Sequence, residues 1–252
     1  MKKHIPNFLT LLNLTCGCCA VIMALWGLYL GAFLFIIASV VFDFLDGFSA
    51  RLLKAYSDIG KELDSLADLV SFGLAPSLIL FQWYYESGHQ YTFPAFVPLI
   101  ITAFSALRLA KFNIDTRQES DFIGLATPAN AMIIAPMAAY ADICRLNGSS
   151  SFVNLLLDSG WFIPTISIIL ALLLISEIPM FSLKKKRVSF SKAPLFSSFI
   201  VIAIIVLILG MIFIPHTGSV LETLPLIISV IFTLYVLINI FANIFRIARK
   251  ES

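Results

Sequence analysis

Charge is scarce in this chain. Of 252 residues only 13% are Asp, Glu, Lys or Arg, against 60% hydrophobic, and the mean hydropathy is +0.96. A soluble domain carries about 25% charged residues to cover its surface, so a water-soluble globular fold is excluded and an integral membrane protein is implied. Histidine and cysteine are few. His4 lies at the N-terminus, and His89 and His216 lie in expected loops. Three of the 4 cysteines, Cys16, Cys18 and Cys19, crowd into one apolar run with no His beside them, and read as small helix residues rather than metal ligands. The chain also lacks any polar stretch long enough for a soluble domain, and it has no internal repeat. Its net charge of +2 says little by itself, and no nucleic-acid partner is expected. The first apolar run continues from near Phe8 to about Leu30 and others follow, which is longer than a cleavable signal peptide requires, so the N-terminus is expected to be retained.

What is present is a series of long apolar runs. A bilayer core of about 30 Å needs roughly 20 apolar residues per helix. That length predicts an all-α polytopic protein with about eight transmembrane helices, at 9–30, 32–54, 62–85, 93–111, 123–143, 161–181, 194–214 and 222–245. The basic residues Lys2, Lys3, Lys54, Lys61, Lys111, Arg117, the Lys184 to Arg187 run, Lys192, Arg246, Arg249 and Lys250 all fall at one set of helix ends, whereas the opposite loops carry only Arg145. Positive loops stay inside, so both termini are expected on the cytoplasmic side of the cell membrane. The polar signals cluster in residues 1–183, expected as a six-helix core. A basic loop at 184–193 separates that core from an almost bare helix pair in residues 194–252.

Against that apolar background, six of the 15 acidic residues fall between Asp43 and Asp68, in the stretch DFLDGFSARLLKAYSDIGKELDSLAD. Asp43 and Asp46 are three apart and Asp64 and Asp68 four apart, so each pair shares one helix face. Asp46 and Asp68 each lie eleven residues from Ser57, in the turn between the two helices, which places both on the order of 10 to 15 Å below that turn. Charges at such depth persist where they hold an ion, pair, or face a protein interior. Four facing carboxylates suit hard cations such as Mg²⁺, Mn²⁺ or Ca²⁺, and two such ions can hold a pyrophosphate during displacement at phosphorus. Gly47 would then allow close approach of a ligand and Arg51 would bind phosphate. An ion or metal transporter is the alternative, but Gly31 to Val41 offers only Ser39 as a polar group on the route outward.

The spacing itself is specific. Asp43, Asp46, Gly47, Ala50, Arg51, Gly60, Asp64 and Asp68 fit the pattern D-x-x-D-G-x-x-A-R, eight residues, G, three residues, D, three residues, D. In this the chain resembles the CDP-alcohol phosphatidyltransferase family of membrane enzymes, which are six-helix proteins, typically dimeric, that displace CMP from a CDP-linked lipid with an alcohol. The resemblance implies that Asp43, Asp46, Asp64 and Asp68 ligate two divalent cations, Mg²⁺ or Mn²⁺, with Asp68 also taking the acceptor's proton. It further implies that Gly47, Arg51, Ser57 and Gly60 face the CDP-lipid, and that the opening PNFLT brings Asn7 and Thr10 beside the nucleotide. A homodimer among membrane lipids is expected.

Three further stretches, SLADLVSFGLAPS at 65–77, LRLAKFN at 107–113 and FIGLATPANA at 122–131, resemble the branch that makes phosphatidylserine from CDP-diacylglycerol and L-serine. Arg108, Lys111 and Thr127 are the candidate serine-site residues, the cations because serine brings a carboxylate. Choline, glycerol phosphate or inositol as acceptor remains the alternative within the family. The GLATP sequence at 124–128 departs from the G-L-P-x-P expected in that branch.

Overall fold

The computed structural model describes residues 4–90, 92–115, 122–180, 194–213 and 220–251. Helix α1 (His4–Leu25) turns through Gly27, at φ +70°, into α2 (Tyr29–Leu53), and the two pack along their lengths. Lys54 closes α2 in the left-handed region, its N–H reaching the carbonyls of Ala50 and Arg51. Three residues later the Ser57 side chain accepts from the Gly60 N–H and starts α3 (Asp58–Asp68), as an N-cap serine does. A π turn over Leu69–Leu74 joins α3 to α4 (Ala75–Glu86) in a span of 29 residues. A short 3₁₀ turn, Phe93–Phe96, leads into α5 (Leu99–Ile114). There follow α6 (Thr127–Leu146), α7 (Phe152–Asp158), α8 (Phe162–Ile175), α9 (Pro194–Phe213) and α10 (Val220–Glu251).

The architecture is all-α, and it belongs in a membrane. Among the described residues five helices are long and apolar enough to cross a bilayer, or six if α7 and α8, bent by 88° at their junction, count as one span. The expected count of eight is not reached on that measure. Helix α6 is Ala-rich and wrapped by α2, α4 and α10 rather than by lipid, so its small residues serve close packing instead of hydropathy. For α9 (Pro194–Phe213) the measure covers only Phe199–Gly210, where the side chains are described, so it does not decide whether this helix spans. The expected loop at 184–193 lies outside the described residues. One element was not expected: β1 (Phe122–Ile123) pairs antiparallel with β2 (Pro179–Met180), fastening the start of α6 to the end of α8. It delays α6 to Thr127, where Pro128 suits a first turn that needs no N–H.

The end of the bundle away from the aspartates is tied by a polar knot. Arg145 stacks on Trp83 at 4.0 Å and pairs with Asp158 at 2.9 Å. Trp83 Nε1 also donates to Asp158, and the Tyr29 hydroxyl donates to Glu86 at 2.8 Å. These helix-end side chains thus anchor α2, α4, α6 and α7 together. Replacing Arg145 with Leu removes a cation–π contact and a partly exposed ion pair, together about 1–2 kcal/mol. A Tm lowered by several degrees, with unchanged activity per folded molecule, is the expected result in a thermal-shift series.

Candidate active site

One face of α1 organises the carboxylates. Thr10 and Asn13, three residues apart and both buried, face α2 and α3: Thr10 Oγ1 donates to Asp46 Oδ2 at 2.7 Å, and Asn13 Nδ2 donates to Asp68 Oδ1 at 3.2 Å. The Asn13 carbonyl accepts from Ser39 on α2 and from Ser71 in the π turn, at 3.2 and 3.1 Å. This locks all three elements at the level of the aspartates. Gly17, one turn further, permits the contact, because a Cβ there would stand 2.9 Å from Ser71 Cα. Gly17→Ala should therefore force the π turn outward, lowering stability by about 1–3 kcal/mol and depressing activity together with thermal stability in paired assays.

The structure brings Asp43, Asp64 and Asp68 together, with one carboxylate oxygen from each lying within 4.8 Å of the others. An all-carboxylate set of this kind fits a hard divalent cation. Asp46, expected as a fourth ligand, is 6% exposed and accepts from the Thr10 hydroxyl.

Two clefts flank the carboxylates. The first is lined by Asn7, Thr10, Asp46, Gly47, Ser57, Gly60 and Asp64, so it gathers the N-terminal opening, the motif glycines and the turn. Beyond its own stretch of helix nothing lies within 4 Å of where a Gly47 Cβ would stand, so the backbone there is open to a ligand. The second is lined by all three triad aspartates, with Arg108 from α5, Ala126 and Pro128 at the start of α6, and Phe232 and Tyr235 from α10. Asp64 and Lys61 line both, which makes Asp64 the seam between them.

The remaining sequence candidates are placed as follows. Arg108 is 8% exposed; its Nη1 donates to Thr127 Oγ1 at 3.3 Å, while its Nε has no hydrogen-bond partner among the described residues. Thr127 thus holds the arginine. Lys111 is exposed and lines a third cavity with Asp115 and Glu177, which shares Arg108 with the second cleft. Arg51 is exposed, and its Nε donates to the Gly47 carbonyl at 2.9 Å, so the side chain folds back on its own helix. Ser57 Oγ is engaged as the α3 cap. Sequence reasoning did not assign a role to Asn13, Lys61, Phe232 or Tyr235. The polar pair could have been sought by helical spacing from Thr10 and from Asp64, but the two aromatics carry no local signal in an apolar run.

A CDP-alcohol phosphatidyltransferase family profile matches residues 3–174. A CDP-diacylglycerol--serine O-phosphatidyltransferase of Bacillus subtilis is 40% identical over 135 residues, 52% of this chain and 73% of the relative. One from Methanocaldococcus jannaschii is 33% identical over 174 residues, 69% of this chain and 72% of the relative. An archaetidylserine synthase of Methanothermobacter thermautotrophicus is 31% identical over 135 residues, 52% of this chain and 56% of the relative. With its motif aspartates gathered at the seam of two clefts and more than half its length matched, the chain belongs to the CDP-alcohol phosphatidyltransferase family.

Proposed function

We propose that the chain transfers the phosphatidyl group of CDP-diacylglycerol to the hydroxyl of L-serine and releases CMP. The observation that carries this reading is the seam: a carboxylate triad stands where a cleft shaped by the motif residues meets a second cleft containing a buried arginine. The nucleotide belongs in the first cleft, against Asn7, Thr10, Gly47 and Gly60. Ser57 shapes that cleft by capping α3, and Arg51 is a reserve cation for phosphate at its edge.

The acceptor belongs in the second cleft. Arg108 receives the serine carboxylate, since its unpartnered Nε is a charged donor in a desolvated position, where such a hydrogen bond is stronger than in water. Thr127 fixes the guanidinium, and Lys111 draws anionic or zwitterionic solutes toward it. Asp68 takes the hydroxyl proton as the serine oxygen bonds to the phosphatidyl phosphorus and the bond from that phosphorus to the CMP oxygen breaks. Asn13 orients the Asp68 carboxylate for that transfer. Asp43, Asp64 and Asp68 would hold divalent cations, two with Asp46 included and of Mg²⁺ or Mn²⁺ type. These supply charge neutralisation at the pyrophosphate. Among the described residues neither cleft is lined by Cys or His, which favours direct attack. The basic helix ends favour cytoplasmic placement of both termini and of the site in the cell membrane.

The test is CMP release by purified protein given CDP-diacylglycerol and Mn²⁺ or Mg²⁺, with serine, glycerol phosphate, inositol and choline offered separately. Release with serine alone, lost in EDTA and restored by the cation, is expected. Release only with another alcohol would refute the acceptor assignment, and release with none would refute the reaction.

A further inference from the structure

Helix α10 lies beyond residue 174, where the family match ends, yet two of its side chains, Phe232 and Tyr235, line the cleft that holds Asp43, Asp64, Asp68 and Arg108. The contact is built rather than incidental. Ser229 Oγ on α10 donates to the Ile133 carbonyl on α6 at 2.8 Å, which sets the height of α10 against the bundle. One and a half turns later Tyr235, 4% exposed, packs edge-on against Phe199 of α9 with ring centroids 5.7 Å apart. The α9–α10 pair, bare of charge in its apolar stretches, therefore delivers a fixed aromatic edge to a cleft whose other residues include three carboxylates and a guanidinium.

From this placement we propose that Tyr235 is a specificity-determining residue, its ring forming the wall that sizes the acceptor cavity and presses a small amino alcohol toward Arg108 and Asp68. The proposal rests on the reading of the second cleft as the acceptor site. An aromatic wall suits such a cleft, since it excludes water from the attacking hydroxyl and limits acceptor size without adding a charge that would compete with the carboxylates.

The experiment compares wild type, Tyr235→Phe and Tyr235→Ala by steady-state kinetics, varying serine and CDP-diacylglycerol separately and then offering threonine and homoserine. Tyr235→Ala should raise the serine KM about 10- to 100-fold, leave the CDP-diacylglycerol KM within about 2-fold, and gain turnover on the larger alcohols. Tyr235→Phe, which keeps the ring and guards against misfolding of the alanine variant, should restore the serine KM. Parallel rises in both KM values, no change in either, or no recovery with phenylalanine would overturn the wall. If wild type uses a different alcohol, the acceptor assignment falls, and the same KM comparison on that alcohol still decides the role of Tyr235. No release with any alcohol would overturn both.

Discussion

Asp68→Asn is expected to lower the rate of CMP release by about 10³- to 10⁴-fold. The amide keeps the shape of the carboxylate, and its oxygen can still accept from Asn13, which now holds Asp68 at 3.2 Å. Two things are lost together. The hydroxyl proton of the acceptor has no base, a deficit of about 10²- to 10⁴-fold by itself, and the triad loses one of its three anionic ligands. Raising the divalent cation concentration separates them: a ligand defect is overcome by mass action, whereas a missing base is not. With variant protein eluting like wild type, activity that stays low at saturating cation is the expected result. Retention of more than about a tenth of wild-type turnover would remove Asp68 from the proton transfer.

Arg108→Ala is expected to raise the serine KM about 10- to 100-fold, the worth of a charge-assisted hydrogen bond in a buried position, with the CDP-diacylglycerol KM little changed. Arg108 sits in the second cleft but not in the first, so the split between the two substrates is the informative quantity. Thr127→Val should give a smaller change in the same direction, because Thr127 touches the arginine rather than the cleft's aspartates. An unchanged serine KM in Arg108→Ala would mean that the guanidinium only snorkels or neutralises the triad.

How far the sequence foretold this site follows the range of its signals. Asp43, Asp64 and Asp68 were legible because helical spacing puts each pair on one face and the Ser57 turn brings the faces together, both of which are local properties. The hydroxyl that Asp46 accepts was not, since it comes from Thr10, 36 positions away on α1. The motif suggested phosphate for Arg51 and gave no sign that its Nε would donate to the Gly47 carbonyl. The apolar runs located the helices, yet hydropathy could not separate a helix buried among helices from one facing lipid. Helix α6 therefore read as an ordinary span, and the 88° bend before α8 was invisible. Phe232 and Tyr235 were hidden for the same reason, because an aromatic residue in an apolar helix looks alike whether it meets lipid or a cavity.

The central claim is that the nucleotide leaves through one cleft while the acceptor enters from the other, in a single displacement at the phosphorus between them. The stereochemistry of transfer tests it most directly. CDP-diacylglycerol made chiral by isotopic labelling at the lipid-bearing phosphorus is converted with serine, and the configuration of the product is read by ³¹P NMR. Inversion is the predicted result, as in-line attack from the side opposite CMP requires. Retention would contradict it, since that outcome calls for two displacements through a phosphatidyl-enzyme.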